Sequence, residues 1–188
     1  MRFAVVCLAA FACLLLVSIG CSSSDDVLKP PDRFVDNLDG TVTDTQTNLM
    51  WEQKTNDGTV HDVGNLYTLG TGTPNWETKN GTVFTIFLAG LNAGAGFAGH
   101  TDWRLPTSGG STTYPTLETA ELESIVELGH GAPTINPIFG PTASDFYWSA
   151  SARSGLPSNA WGVLFSNGGV RFALKNSDVC VRAVRGGQ

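Results

Sequence analysis

Hydrophobic residues are most concentrated at the start of the chain. After Arg2, residues 3–19 form an almost unbroken apolar run without charge, and Gly20 and Cys21 follow. A positive start, an apolar run and small residues before a cleavage point are typical of a secretory signal peptide. The run is short for a membrane-spanning helix and is followed by serine and aspartate instead of a basic flank. We therefore predict that residues 1–20 are an export signal, with a permanent transmembrane helix as the weaker alternative.

The four residues 18–21 resemble the lipobox of bacterial lipoproteins, although Ser18 departs from the leucine common at its position. The resemblance implies that the thiol of Cys21 is acylated and that several acyl chains anchor the protein to a membrane. Ser22 after the cysteine implies the outer membrane, and the periplasmic or surface side stays open. Residues 21–32 are polar, charged and broken by two prolines, which predicts a flexible tether. An ordinary signal peptide with a chance cysteine is the alternative.

Beyond the tether, apolar and polar residues alternate in short runs that are separated by turn residues. Asp39-Gly40 and Thr47-Asn48 separate the first three runs, and Asn167-Gly168 separates two later ones. Such dipeptides favour the positive-φ turns of tight hairpins. We therefore predict several short antiparallel strands, at residues 34–35, 41–43, 49–51, 146–148, 160–165, 170–174 and 179–184.

Two segments follow a helical period instead. Apolar residues at positions 84, 87, 88 and 91 predict a helix over residues 81–93, and Thr116 is a candidate N-cap for a second helix over 117–128. Segments without a clear period predict long loops, at residues 53–76, 108–115 and 130–145. The order of strands, two helices and further strands predicts a single α+β domain over residues 33–188.

Charge and cysteine content narrow the range of partners. The chain has 11 basic and 17 acidic residues and a net charge of −6, and loss of Arg2 with the signal leaves 10 minus 17, or −7. This acidity disfavours nucleic acid as a partner. Of the four cysteines, Cys7 and Cys13 leave with the signal and Cys21 would carry lipid. Cys180 then lacks a partner within the chain, and we predict that it is buried in a strand.

No group of residues has the spacing of a catalytic or metal-binding motif. The three histidines at positions 61, 100 and 130 lie far apart, so a shared zinc site is not expected. Several side chains near the first hairpin could offer oxygen ligands to calcium, namely Asp36, Asn37, Asp39 and Asp44. Their spacing does not fit an EF-hand, and a turn explains them better. We therefore predict no cofactor, with calcium as the alternative.

A set of short motifs gives the chain a family resemblance. They are DGTVTD at 39–44, TNLMW at 47–51, TDWRLPT at 101–107, EL at 121–122, FYWSAS at 146–151, AWGVLFSNGG at 160–169 and VRAVRGG at 181–187. In this order they resemble the DUF1566 family, also called the Lcl C-terminal domain, over residues 34–187. The resemblance implies a C-type-lectin-like fold, a distant relation to formylglycine-generating enzymes and kinship with a glycan-binding adhesin. Asn48 replaces the usual glycine and Ala183 a common cysteine, so the family's disulfide is missing.

Aromatic and basic residues supply the candidate binding positions. Tyr67 and Trp76 border the loop 53–76, and we expect both to be exposed, so that a sugar could stack on them. Four arginines of the final third form either a local basic patch or, as we prefer, separate surface ion pairs: Arg153, Arg171, Arg182 and Arg185.

The remaining motif residues are predicted to be structural. We expect Asp102 to cap loop amides, Trp103 to lie in the core and Arg104 to pair with a carboxylate. The tryptophans in strand motifs are expected to be mostly core, which concerns Trp51, Trp103, Trp148 and Trp161.

The resulting hypothesis is a lipid-anchored, non-enzymatic binding module that presents its loops to a glycan or an envelope protein. An enzyme of the formylglycine-generating type is one alternative, but the mature chain lacks the cysteine pair that such enzymes use. A structural component of the envelope is the other alternative, and the oligomeric state stays open.

Overall fold

A computed structural model describes residues 32–109 and 120–186 of the protein. This part of the chain contains two antiparallel sheets, two short helices and long irregular segments. The α+β class predicted from the order of strands and helices is therefore confirmed. The predicted signal peptide, Cys21, the predicted tether up to residue 31 and most of the predicted loop 108–115 lie outside the described residues.

The first sheet has four strands in the order β1-β2-β3-β7. Their bounds are Phe34–Asp36 for β1, Thr41–Asp44 for β2, Leu49–Glu52 for β3 and Val184–Gly186 for β7. The turns between the first three strands have the predicted backbone, because Gly40 has a φ of 87° and Asn48 a φ of 57°. Asparagine tolerates this left-handed conformation, so it can stand where the family usually has glycine. Both predicted turns are confirmed.

The second sheet has three strands in the order β4-β5-β6. They are β4, Phe146–Ala152, β5, Asn159–Leu164, and β6, Gly169–Leu174. In the hairpin between β5 and β6, Gly168 has a φ of 72° and the side chain of Asn167 accepts a hydrogen bond from the amide of Gly169 at 2.9 Å. This hairpin is confirmed, and β6 is the outer strand of the sheet.

The helix predicted over residues 81–93 is confirmed as a shorter segment. It has π-helical turns at Val83–Leu88 and continues as α1, Ala89–Leu91. A Cβ atom at Gly81 would collide with the backbone of Leu69. The glycine that weakens the helical pattern in the sequence is therefore needed for the close approach of the helix to the preceding loop.

The second predicted helix is much shorter than its sequence pattern suggested. α2 spans only Glu121–Ser124, and two residues later Val126 pairs with Ile135 in an isolated β-bridge. A single 3-10 turn at Leu128–His130 follows. The prediction of a helix up to residue 128 is wrong because this tertiary pairing overrides the helical pattern. The predicted N-cap and first turn lie outside the described residues.

The bounds predicted for the last strand, residues 179–184, are also wrong, because the strand spans Val184–Gly186. Regular pairing occurs only in β7, whereas Val179 and Cys180 form isolated bridges with Tyr67 and Tyr147. Residues 180–184 are all buried. The side chains on both sides of this segment pack in the core. Their alternating pattern therefore does not belong to a regular strand with one face in solvent.

Two hydrophobic clusters fill the interior, and β4 contributes to both. Tyr147 points into the cluster beside the first sheet, and its neighbour Trp148 points into the cluster that contains the helix residues Phe87 and Leu91. Successive residues of a strand face opposite sides, which explains this division. Trp51 and Trp148 are completely buried, as predicted. Among the described residues, no helix combines the length and apolarity needed to cross a membrane.

Candidate functional site

An open cleft of about 890 Å³ is lined by parts of the chain that are far apart in sequence. The helix contributes Phe84 and Leu88, and the second sheet contributes Ala150, Ala152 and Ala160. The small alanine side chains leave the space open. The remaining lining residues are Leu69, Trp76, Glu77, Thr78, Lys79, Trp103, Arg104, Leu105, Thr107, Glu121 and Lys175.

Trp76 is a half-buried aromatic residue on the wall of this cleft. Its indole packs so closely on Gly72 that a Cβ atom there would lie 2.9 Å from the ring. The carbonyl of Trp76 accepts a hydrogen bond from the Nζ atom of Lys175 at 2.7 Å. Burial lowers the pKa of Lys175, and Glu77 opposes that change. The predicted candidate Trp76 is therefore positioned by its neighbours with part of its ring available.

Arg104 and Glu121 form the polar wall of the cleft. Two hydrogen bonds of 2.7 Å join the guanidinium to the two carboxylate oxygens. Glu121 also accepts a hydrogen bond from the amide of Thr107 at 2.8 Å, and Arg104 donates to the carbonyl of Gly186 at 3.0 Å. Partial burial would raise the pKa of Glu121, but the hydrogen bonds from Arg104 and Thr107 outweigh it and lower this pKa. The carboxyl is thus held ionised in a bidentate pair, as expected for Arg104.

The match to known proteins covers the whole cleft. The family model of the Lcl C-terminal domain matches residues 40–185. This chain belongs to the Lcl C-terminal domain family. All cleft residues lie within the matched range, as do the hairpin of β2 and β3 and the hairpin of β5 and β6. No curated protein and no solved structure shows significant similarity to the chain.

Tyr67, the second aromatic candidate, is not on the surface of this Lcl C-terminal domain. Only 6% of it is exposed, and its ring packs on Phe87 with 5.2 Å between the centroids. Its carbonyl accepts a hydrogen bond from the indole of Trp148 at 2.9 Å, and its backbone pairs with Val179. The expectation of an exposed Tyr67 is wrong because the loop 53–76 is pulled into the core at this point.

The four arginines of the final third are not joined into one basic patch. Arg182 is completely buried, and Arg185 pairs with Asp102 at 2.7 Å. Arg153 stacks on Phe172 with 3.7 Å between its Cζ atom and the ring centroid, and Arg171 is exposed. Among residues 32–109 and 120–186, the preferred alternative of surface ion pairs therefore holds only for Arg185.

The TDWRLPT motif is mainly a brace. Trp103 is buried, as predicted, and its indole donates to the carbonyl of Phe97 at 3.0 Å. Asp102 has Arg185 as its main partner, not the loop amides that the sequence suggested, and Arg185 holds the pKa of Asp102 below its ordinary value. The predicted core position of Trp161 is only half right, since this ring is half-buried and meets Phe172 edge to face.

A second group of ionisable residues, which the sequence did not reveal, lies inside the domain. We call Glu52, Lys54, His61 and Arg182 the buried charge cluster. Lys54 Nζ lies 3.0 Å and His61 Nδ1 2.8 Å from the same oxygen of Glu52. Burial would raise the pKa of Glu52, but Lys54 and His61 oppose it and lower this pKa, and burial lowers the pKa of Lys54.

Arg182 completes the buried charge cluster through backbone oxygens. Its guanidinium donates to the carbonyls of Glu52 and Phe139 at 2.7 and 2.8 Å and to the hydroxyl of Thr142 at 2.7 Å. None of the lining residues of the cleft belongs to this cluster. One signal was present in the sequence, because Glu52 and Lys54 are two residues apart and such residues share one side of an extended chain.

The acidic residues near the first hairpin accept hydrogen bonds that stabilise turns, and one of them forms an ion pair. Asp36 accepts a hydrogen bond from the amide of Leu38, and Asp39 accepts from the amide of Thr41. Asp44 pairs with Arg33 at 2.7 Å. In residues 32–109 and 120–186, no group of three or more His, Cys, Asp or Glu side chains is arranged to hold a metal ion.

Proposed function

We propose that the protein is a lipid-anchored, extracytoplasmic binding module and that its ligand occupies the cleft. The observation that carries this proposal is the half-buried indole of Trp76 on the wall of a cleft of about 890 Å³. Concave sites that combine an aromatic or apolar surface with a few positioned polar groups are typical of ligand binding. A segment of a glycan is the ligand that this combination favours, since a sugar ring stacks its C–H face on an indole and offers hydroxyls to charged groups.

The polar groups of the cleft favour binding over proton transfer. Arg104 and Glu121 fix one another, and the pKa of Glu121 is lowered, so this carboxyl does not suit a general acid near neutral pH. Lys175 uses one of its N–H groups on the carbonyl of Trp76, and an ammonium carries three donors. Its remaining donors can serve a ligand hydroxyl beside the indole.

The test is a glycan array followed by calorimetry with the mature chain carrying Cys21→Ser. We expect a glycan ligand whose affinity falls about tenfold in Trp76→Ala, the order of magnitude of an aromatic stacking contact. Trp161→Ala is the matched control, since this half-buried indole lies outside the cleft, and it should leave the affinity unchanged. Absence of any ligand, or a ligand that Trp76→Ala does not weaken, would refute the proposal.

The proposed anchor rests on Cys21 and is tested separately. Cells fed a labelled fatty acid should incorporate the label into the wild-type chain and not into Cys21→Ser, and only the wild type should fractionate with outer membranes. Equal labelling of both chains would contradict the proposed lipid anchor. It would not affect the proposal that a ligand binds in the cleft. The C-type-lectin-like relationship belongs to the same proposal and is supported by the family resemblance alone.

A further inference from the structure

The outer strand β6 of the second sheet has a free edge. Within the described residues β6 pairs only with β5. Directly after it, the amide of Lys175 donates to the carbonyl of Ser158 at 2.8 Å, which marks these two residues as a hydrogen-bonded pair. Hydrogen-bonded and non-hydrogen-bonded pairs alternate along antiparallel strands. The backbone groups of Val170, Phe172 and Leu174 therefore point away from β5.

Only part of this edge is already occupied. The carbonyl of Val170 accepts from its neighbour Arg171 at 2.8 Å, and the carbonyl of Leu174 accepts from the amide of Ser177 at 2.9 Å. Among residues 32–109 and 120–186, no hydrogen bond to the N–H or C=O of Phe172 or to the N–H of Leu174 is present. Unpaired donors and acceptors of this kind are a template for an added strand.

The side chains along the edge differ between its two faces. Phe172 and Leu174 point to one face and are 44% and 50% exposed, and Leu156 is exposed to 43%. Arg171 points to the opposite face because it lies one residue from Phe172. A strand added to this edge would meet Phe172, Leu174 and the guanidinium of Arg153, which stacks on Phe172, on one face and Arg171 on the other.

Charge complementarity selects the partner. The chain is acidic overall, with a net charge of −6, yet neither Arg153 nor Arg171 has a carboxylate within 4 Å among the described residues. A second copy paired through β6 about a two-fold axis would bring two pairs of arginines together without counter-ions, so self-pairing is disfavoured. A strand with carboxylates would instead supply the missing charge.

We infer that the edge of β6 binds an extended polypeptide segment of a partner protein in which apolar and acidic residues alternate. The segment pairs its backbone with Phe172 and Leu174, places its apolar side chains on Phe172, and directs its acidic side chains to Arg171. This surface is distinct from the cleft, since none of its residues lines the cleft, and the inference does not depend on the proposed glycan ligand.

Synthetic peptides test the inference with the mature chain carrying Cys21→Ser. A short peptide of alternating valine and glutamate should bind saturably in calorimetry, and one of alternating valine and lysine should not. Arg171→Glu should weaken binding about tenfold. Lys29→Glu, which makes the same change in net charge within the predicted tether, is the control for net charge and should leave binding unchanged.

A pair of substitutions at one position isolates the backbone contribution. Leu174→Pro removes an outward N–H and keeps the hydrogen bonds to β5, since proline is tolerated on edge strands in this orientation. It should bind the acidic peptide about fivefold more weakly than Leu174→Ala, which loses the same side chain and keeps the N–H. Thermal melts confirm that both variants fold, and Arg171→Glu serves if Leu174→Pro does not.

Three outcomes would overturn the inference. They are absence of binding to the acidic peptide, equal binding by Leu174→Pro and Leu174→Ala, and a wild-type dimer in sedimentation velocity that Leu174→Pro abolishes. The last outcome would assign the edge to a second copy of the chain.

Discussion

The buried charge cluster and the lining of the cleft contain similar charged groups and differ in their surroundings. The charges of the cluster lie inside the domain, whereas those of the cleft face open space. In the cluster, the completely buried side chain of Glu52 is surrounded by Lys54, His61 and the amide of Ala183. In the cleft, an equally firm pair of Arg104 and Glu121 stands beside open space and a half-buried indole. A buried charge that is paired and hydrogen-bonded can stabilise or specify a fold, whereas charges beside a cavity can also serve a ligand. The comparison predicts that changes in the cluster affect stability first and that changes in the cleft affect binding first.

Glu52→Gln should give the largest effect. The substitution leaves Lys54 and Arg182 as uncompensated buried cations, and breaking a buried pair in this way costs about 3–5 kcal/mol of unfolding free energy. Guanidinium denaturation measures the loss. Glu77→Gln, an exposed carboxylate on the cleft, is the control and should change the stability by less than about 0.5 kcal/mol. Equal effects of the two substitutions would remove the distinction between the two regions.

Acid should destabilise the protein by a smaller amount, and mainly through the buried carboxylates. The pKa values of Asp44 and Glu52 in the folded state lie below their ordinary values of 3.8 and 4.5. Stability from these groups is therefore present above about pH 4.5 and is lost as the pH falls through the lowered values, because the unfolded chain takes up protons first. The unfolding free energy, measured by denaturation at each pH between 7 and 3, should change less with pH for Glu52→Gln than for the wild type. An equal change of the unfolding free energy with pH in both proteins would contradict the lowered pKa of Glu52.

Arg104→Met should lower the unfolding free energy by less than Glu52→Gln or acid does. The pair with Glu121 is partly exposed, with 32% and 16% of the two side chains accessible, so solvent screens it and we expect a coupling of about 1 kcal/mol. A double-mutant cycle with Glu121→Gln measures that coupling directly. Coupling as large as the effect of Glu52→Gln would place the pair with the buried charge cluster instead of with the cleft.

Cys180 should show no reactivity at all while the protein is folded. Burial raises the pKa of its thiol to about 11, and only 3% of the residue is exposed. The reactive thiolate is therefore scarce at pH 8. A chromogenic thiol reagent applied to the mature chain carrying Cys21→Ser, without residues 1–20, should give no signal without denaturant and one equivalent in guanidinium. Rapid reaction of the folded chain would show that this part of the core opens.

The sequence predicted those parts of the fold that depend on local chemistry. The hairpins at Gly40, Asn48 and Gly168 were predictable because each turn needs a positive φ that few residues adopt. The end of α2 and the course of residues 179–183 were not, because they depend on pairing with Ile135 and Tyr67 from distant parts of the chain. The burial of Tyr67 has the same cause.

The candidate site was predictable only in part. Trp76 stood out as an aromatic residue beside a polar loop, and a carboxylate partner for Arg104 was expected without its identity. Glu121 is 17 positions away from Arg104 and Lys175 is 99 positions away from Trp76, so their meeting depends on the tertiary fold. Arg182 looked like a surface cation, since an arginine in a strand pattern rarely lies in the core.

The placement of β7 in the first sheet has a consequence for how the chain folds. β3 pairs with β7 through Trp51 and Val184, so the sheet begun by the first strands is completed only by the last ones. Contacts between such distant residues slow folding because a long loop must close first. The first sheet therefore cannot be completed until residues 184–186 are available to pair with β3.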